Sequence, residues 1–438
     1  MTSFSATAAA PALLGSPTMR RLPNGLTVIA EQMPLEVVHL GLWLGVGSAV
    51  ENDRINGMAH FLEHMIFKGT HTLQAGEFER LIEARGAMTN AMTSQDYTHF
   101  YITTAPKDFA DLAPLHIQLV MTPRLTEDDF ERERPVILEE IRRAEDNPRR
   151  RTFARSMEMV FDRLPYRRPV LGPASVIEAL QVNQMRHFHS MWYQPQNVTA
   201  VAVGNRPVNE LMATVAEGFD QAQAQRANYT SSGLEQLTPL QVCDLEPPFT
   251  DIHRALHPDP ALTMARLIMT WRVPGLANRE ETYALDVISA ILGRGRTSRL
   301  VADLREDRRL VASIGCSNMT LAHQGVFTVS AKLSVDHIPQ VEAAIAEHIR
   351  TVTQQPVTPK ELQRIQTQLA NRFVFANESP SDRSSLYGYS HTLTGDISHA
   401  LQYPSHIQQL TVEDLLAAAQ RYLSAAAYGL VVLQPAQA

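Results

Sequence analysis

The stretch GMAHFLEHMIFKGT, residues 57–70, contains the pentad HFLEH (residues 60–64) within a run of mainly apolar residues. Positions i, i+3 and i+4 of an α-helix lie on one face, so the pentad predicts a helix that carries two imidazoles and one carboxylate together. Apolar residues surround these three and favour burial of the helix. The final KGT (residues 68–70) is typical of a helix end.

The polar face of this helix has the composition of a metal site. Two neutral imidazoles, here His60 and His64, can bind Zn²⁺ at roughly 2.0–2.1 Å, with a carboxylate as a further ligand and water in an open position. The carboxylate of Glu63 would lie beside that water, where a general base is needed. The order H-x-x-E-H is the inverzincin pattern. The alternative is two surface histidines with a solvated glutamate, but unpaired polar groups in a buried helix cost about 1–3 kcal/mol each.

A third protein ligand must come from another segment, and residues 130–147 are the best candidate. Their apolar residues recur with helical spacing, and Glu133 and Glu140 lie seven positions apart on the side that carries Ile137. Glu139 falls on another face and is expected to be solvated. A single glutamate here would be interpreted as part of a solvent-exposed helix face, whereas two glutamates on an apolar stripe favour a metal site.

The sequence HFLEHMIFKGT (residues 60–70) resembles the zinc helix of the pitrilysin and insulin-degrading metallopeptidase family. It is most similar to the short-chain branch that includes mitochondrial processing peptidase. The segment ERPVILEEI (residues 133–141) is similar to the second zinc helix of the family. The resemblance extends from residues 22–26 to the last predicted strand near residues 428–433. It implies an α+β fold in which each half is an antiparallel sheet flanked by helices.

The resemblance also implies roles for individual residues. His60, His64 and Glu140 would bind one Zn²⁺, and Glu140 lies 76 residues after His64, which is the family separation. Glu63 would be the general base. Glu133 matches an acid that supports the site from outside the coordination shell, where such partners orient the ligands. We count Glu63 and Glu133 as the catalytic pair.

Substrate-binding residues follow from two further motifs. The segment GAMTNAMTSQDYT (residues 86–98) resembles the family's edge strand, whose backbone pairs with the substrate, and Asn90 and Ala91 match its most recognisable dipeptide. The segment GRTSRL (residues 295–300) matches the motif that supplies a substrate-gripping arginine, here Arg299.

One expected residue is missing. The family places a tyrosine about 13 residues after that arginine, and this chain has Ala312 there. Tyr387 and Tyr389 do not match the motif and are expected to be ordinary core or surface aromatic residues. A related second chain is the other candidate source of the hydroxyl.

The chain repeats a strand, a loop and a helix. Trp43 and Trp271 occupy similar places in the two predicted strands, and only the first of the two helices contains H-x-x-E-H. The repeat predicts two homologous α+β halves. The strands are expected at residues 38–46 and 265–273, and the helices at residues 57–67 and 280–292. We expect a flexible tail at residues 1–18, a zinc-binding domain at 19–220, a linker at 221–250 and a second domain without zinc at 251–438.

Composition limits the class of protein. A chain of 438 residues is too long for one compact core. The net charge of −7 argues against a nucleic-acid partner. No stretch of 18 apolar residues exists, so no membrane partner is expected. We expect a soluble cytoplasmic protein, with an organelle or the periplasm as alternative locations.

These observations predict a Zn²⁺-dependent endopeptidase that cleaves peptides or unfolded segments inside a closed chamber. The resemblance implies that two such chains form the chamber, with a heterodimer favoured over a homodimer and this chain as the zinc-carrying member. One alternative is a non-catalytic scaffold or substrate-binding subunit. Another is a metalloamidase that acts on small molecules.

Overall fold

The structure, a computed structural model, describes residues 15–227 and 244–436. Most of the expected tail at residues 1–18 and the centre of the expected linker at 221–250 lie outside these ranges. Regular structure reaches into both predicted segments, because the first strand begins at Thr18 and a helix continues to Ala227. The described residues form two halves, each with one β-sheet flanked by helices, as expected for an α+β chain with two homologous halves.

The first half is built on a six-stranded sheet with the order β1-β2-β6-β3-β5-β4. Neighbouring strands are antiparallel except for the parallel pair β2 and β6. The expected antiparallel sheet therefore contains one parallel pair. The strands are β1 (Thr18–Arg21), β2 (Thr27–Gln32), β3 (Val38–Leu44), β4 (Met88–Thr93), β5 (Thr98–Thr104) and β6 (Val198–Gly204). The helices are α1 (Met58–Ile66), α2 (Glu77–Ala84), α3 (Phe109–Met121), α4 (Glu127–Asp146), α5 (Pro148–Val160), α6 (Ala174–Ala179), α7 (Val182–Trp192) and α8 (Val208–Ala227).

The second half repeats this plan with a five-stranded sheet of order β7-β11-β8-β10-β9, in which β7 and β11 are parallel. The strands are β7 (Ile252–Asp259), β8 (Ala265–Pro274), β9 (Val311–Met319), β10 (Gln324–Leu333) and β11 (Tyr428–Pro435). The helices are α9 (Arg279–Gly293), α10 (Ile338–Gln354), α11 (Pro359–Phe375), α12 (Pro380–Thr394), α13 (Ser398–Leu401), α14 (Tyr403–Gln409) and α15 (Val412–Tyr422), and a π-helix spans Val301–Asp307.

The two halves exchange a helix. Helix α5 of the first half packs on β8 and β11, and α12 of the second half packs on β3 and β6. Strand β3 is buried along its whole length because α12 covers one face and the core of the first half covers the other. Each sheet therefore buries apolar surface on one face against its own half and on the other face against a helix of the other half.

Strand β4 forms one edge of the first sheet and β9 forms the equivalent edge of the second. Helix α1 packs against β4, and α9 packs against β9. Among the described helices, none is long and apolar enough to cross a membrane.

Candidate metal centre

Helix α1 begins at a buried, preorganised cap. Gly57 has φ 99°, and a Cβ at this position would approach the Leu171 carbonyl oxygen at 2.6 Å, so the chain needs glycine here. The Glu51 carboxylate accepts hydrogen bonds from the backbone N–H groups of Gly57 (2.8 Å) and Ala59 (2.7 Å). Burial raises the pKa of Glu51 to about 7, although these hydrogen bonds act in the opposite direction. Sequence reasoning missed Glu51, which fixes the start of the helix.

Helix α4 lies against α1 through apolar contacts. Phe61 of α1 stacks on Phe130 of α4 with ring centroids 4.4 Å apart. Ile137 and Ile141 are buried on the same side of α4. This packing carries Glu140, one residue before Ile141, towards the polar face of α1.

The three predicted ligands meet between these helices. The Glu140 Oε2 atom lies 3.4 Å from His60 Nε2 and 3.6 Å from His64 Nε2. The three ligand atoms all lie within 4.8 Å of one another. Tetrahedral ligands at roughly 2.1 Å from Zn²⁺ are separated by about 3.4 Å. The donor set of two imidazoles and one carboxylate therefore fits a zinc ion.

The neighbouring Glu139 points elsewhere. Its carboxylate pairs with Arg142 at 3.3 Å and with Arg143 at 3.2 Å on the outer side of α4. The structure thus separates the two adjacent acids into an ion-paired surface residue and a member of the cluster.

The imidazole of His64 is oriented by a second carboxylate. Its Nδ1 lies 3.0 Å from Glu133 Oε1, and the Lys68 ammonium lies 2.5 Å from Glu133 Oε2. Burial alone would raise the pKa of Glu133, but hydrogen bonds from His64 and Lys68 hold it below its ordinary value. An ionised Glu133 accepts a hydrogen bond from the Nδ1–H group of His64 and leaves the Nε2 lone pair of His64 free for the metal. Sequence reasoning read Lys68 only as a helix-end signal.

The imidazole of His60 is kept neutral by burial. Burial and the adjacent His64 lower the pKa of His60 to about 3. Its Nδ1 atom is buried and has no hydrogen-bond partner within the described residues. A neutral imidazole is the form that binds a metal.

Glu63 occupies the same helix face but stands outside the cluster of ligand atoms. The Thr93 hydroxyl at the end of β4 donates a hydrogen bond to Glu63 Oε2. Burial raises the pKa of Glu63, and the hydrogen bond from Thr93 offsets part of this effect. Sequence reasoning missed Thr93; the only signal was its position three residues after Asn90.

Strand β4 leaves one edge open, since its only sheet neighbour among the described strands is β5. Asn90 is exposed and Ala91 is half-buried, with Tyr101 and Phe100 as their cross-strand partners. This free edge ends beside Glu63, at Thr93, and can accept an added strand.

The structure does not bring Arg299 to the cluster. Its guanidinium forms a bidentate pair with Glu361, with Nε–Oε1 at 3.1 Å and Nη2–Oε2 at 2.6 Å. Ala312 lies exposed on β9. Tyr387 donates to Glu31 at 2.7 Å and Tyr389 donates to the Thr320 carbonyl at 3.3 Å, so both hydroxyls have partners away from the cluster.

Comparison with known sequences adds two family matches. Residues 26–174 match the family model described as insulinase (peptidase family M16), and residues 179–369 match the one described as the peptidase M16 inactive domain. The second match agrees with the absence of H-x-x-E-H from α9.

Whole-chain relatives are similar over nearly their full length. An uncharacterized zinc protease of Mycobacterium bovis is 31% identical over 97% of this chain and 94% of the relative. The zinc protease PqqE of Helicobacter pylori is 27% identical over 94% of this chain and 92% of the relative. The crystal structure of a protease from H. pylori has a TM-score of 0.86 at 25% identity and covers 96% of this chain and 99% of its own. The crystal structure of a peptidase M16 inactive domain from Pseudomonas fluorescens has a TM-score of 0.82 at 18% identity and covers 96% of this chain and 99% of its own. This likeness shows that the two chains share a fold.

Proposed function

Because this chain belongs to the insulinase family of peptidases, family M16, we propose that it is a zinc-dependent endopeptidase with His60, His64 and Glu140 as metal ligands. The observation that carries the proposal is the convergence of these three donors from α1 and α4 at separations that suit tetrahedral zinc. The relatives named zinc proteases support the choice of metal.

Zinc in this position would acidify a water molecule and polarise the scissile carbonyl. Glu63 takes a proton from the attacking water and delivers it to the leaving amine. Thr93 holds the Glu63 carboxylate in place through its hydroxyl. Glu133 and Lys68 fix the ring of His64, and Glu51 fixes the start of α1.

Substrate enters as an added strand on β4. Main-chain hydrogen bonds at Asn90 and Ala91 provide the affinity, and such pairing recognises little sequence. An extended or unfolded segment can offer its backbone in this way, whereas a folded domain cannot. The substrates are therefore peptides and unfolded protein segments.

A homologous second chain completes the site. Arg299 is held by Glu361, and Ala312 has no hydroxyl, so these two motif positions offer no free arginine–tyrosine pair to the zinc cluster. We place such a pair on a partner that faces the zinc cluster and closes a chamber, with a heterodimer favoured over a homodimer. The ordered ligand set disfavours a role as a non-catalytic scaffold.

The test is metal analysis of the purified chain together with digestion of a mixed peptide library. We expect one zinc per chain and cleavage that requires the metal, and Glu63→Gln should retain zinc while reducing turnover by roughly 10²-fold or more. A zinc-free protein, or a Glu63→Gln variant that cleaves normally, would overturn the proposal. The digest is run with and without a co-purifying homologous chain, so that a missing partner is not mistaken for inactivity.

A further inference from the structure

The second half contains a cavity of about 370 Å³ that belongs neither to the zinc cluster nor to β4. It lies between α9, α12 and the short helices α13 and α14. Its volume is within the range of pockets that bind small molecules. Four aromatic rings contribute to its wall: Tyr283, Phe373, Tyr389 and Tyr403.

Two opposite charges line this cavity on one helix. Arg279 and Asp286 are seven residues apart on α9, so they lie on the same face, about 10 Å apart along the helix axis. Arg279 has no ion-pair partner in the described part of the chain. A lone guanidinium beside a cavity is an available site for a carboxylate.

Asp286 is fixed at the other end. It accepts hydrogen bonds from Asn318 of β9 at 2.9 Å and from the Tyr403 hydroxyl at 3.3 Å. A carboxylate offers about four acceptor positions, so two remain. Burial raises the pKa of Asp286 to about 6, although the hydrogen bonds from Asn318 and Tyr403 act in the opposite direction. The Nδ1 atom of His399, another lining residue, is buried without a hydrogen-bond partner among the described residues.

The arrangement of charges selects one class of ligand. A simple anion would pair with Arg279 but would be repelled by the Asp286 carboxylate. A simple amine would pair with Asp286 but would leave Arg279 unpaired. A molecule with an ammonium at one end and a carboxylate at the other satisfies both. An extended peptide spans about 3.3–3.6 Å per residue, so two residues span about 7 Å and three span about 10 Å, the scale of the rise between these two helix positions.

We propose that this cavity binds a peptide of two or three residues with free termini, its ammonium at Asp286, its carboxylate at Arg279 and its side chain among the aromatic rings. Peptides of this kind are the class of molecule that peptide hydrolysis releases. That link to the reaction rests on the proposed function, whereas binding itself does not.

The experiment is isothermal titration of the full-length, zinc-loaded Glu63→Gln protein, in which turnover of the ligand is expected to be slowed by roughly 10²-fold or more. The probes are Ala-Phe-Ala with free termini and the same tripeptide acetylated and amidated. We expect saturable binding of the free tripeptide and at least 10-fold weaker binding of the capped one. Equal affinity for both peptides would overturn the proposal, as would no binding of either.

Two further variants locate the site. Adding Arg279→Gln or Asp286→Asn should weaken binding at least 10-fold, whereas Arg372→Gln, which removes an exposed charge beside the lining Phe373, should not. Arg279 is only half-buried, so its replacement tests the site even if Asp286→Asn impairs folding. Unchanged affinity in Arg279→Gln would place the peptide elsewhere, including the β4 cleft, and refute the proposal. A chain without zinc or turnover that still binds the tripeptide through Arg279 would refute only the proposed function.

Discussion

The hydroxyl of Thr93, at the end of the edge strand β4, donates a hydrogen bond to the Glu63 carboxylate on α1. This contact joins the strand proposed to bind substrate to the residue proposed to move the proton. A carboxylate that is held by hydrogen bonds from a rigid strand presents its reacting oxygen in a fixed direction. The position of the base is therefore coupled to the position of the strand.

Removing this hydroxyl should slow the reaction without loss of metal. A hydrogen bond to a charged group is worth about 1.5–3 kcal/mol, so Thr93→Val should lower kcat by roughly 10- to 100-fold. Thr93→Ser keeps the donor and should stay close to the wild type. Peptide kinetics and zinc content are measured on all three proteins. If valine and serine variants were equally active, Thr93 would have no role in positioning Glu63.

The two adjacent acids of α4 should differ in their effect on the metal. Glu140→Gln removes a charged ligand and should abolish stoichiometric zinc binding, whereas Glu139 pairs with Arg142 and Arg143, so Glu139→Gln should retain the metal. Zinc per chain is determined by mass spectrometry after dialysis. Equal losses in the two variants would show that the ligand assignment is wrong.

Glu133 should act on zinc affinity through His64. Glu133→Gln keeps the side-chain shape but loses the charge that orients the imidazole, and loss of such a partner weakens metal binding by about 10- to 100-fold. The control is Glu131→Gln, since Glu131 pairs with Arg134 at 2.5 Å on the same helix. Competition with a zinc chelator gives both affinities, and an unaltered affinity in Glu133→Gln would remove this residue from the site.

Local patterns predicted the parts of the structure that depend on local sequence. The pentad and its apolar flanks predict helix α1, and the repeated strand, loop and helix predict strand β3; the shared face of His60 and His64 follows from helical spacing. Glu140 could be chosen over Glu139 because it lies 76 residues after His64, the separation that the family resemblance implies. The packing of α4 on α1 explains how residues so far apart in sequence lie side by side.

The remaining features depend on contacts between distant segments. The Thr93–Glu63 hydrogen bond, the Glu51 cap and the exchange of α5 and α12 have no periodic signature, because each depends on how finished elements pack. Arg299 matched a motif, yet Glu361, which lies 62 residues later, holds its guanidinium. A motif identifies a residue type, whereas its partner is decided by the tertiary fold.

The absent tyrosine leads to a prediction about the lone chain. With Ala312 on β9, the purified protein should bind zinc yet hydrolyse peptides poorly, and addition of a homologous chain with an intact arginine–tyrosine pair should raise turnover without a change in zinc content. Ala312→Tyr is a direct probe, since the position is exposed and tolerates a larger side chain. Robust turnover by the lone chain, with no response to a partner, would rule out the heterodimer.

A buried histidine remote from the metal cluster should make the fold sensitive to acid. His116 of α3 is fully buried, and burial lowers its pKa from 6.5 to about 3. Below pH 6.5 the imidazole of His116 binds a proton in the unfolded chain but stays neutral in the folded chain. The unfolded state is therefore stabilised relative to the folded state as the pH falls. The stabilisation from neutral His116 is present above pH 6.5 and is lost progressively towards pH 3.

The contribution of His116 can be isolated with His116→Gln, which does not titrate. Between pH 7.5 and 5 the wild type should lose about 2 kcal/mol of unfolding free energy relative to the variant. Urea unfolding at each pH measures both proteins, and the difference between them cancels groups of opposite sign such as Glu51, whose raised pKa favours the folded state as the pH falls. The wild type is expected to be the more stable protein at pH 7.5, with its advantage shrinking in acid. A difference that stays constant over this range would mean that His116 is protonated in the folded protein as readily as in the unfolded chain.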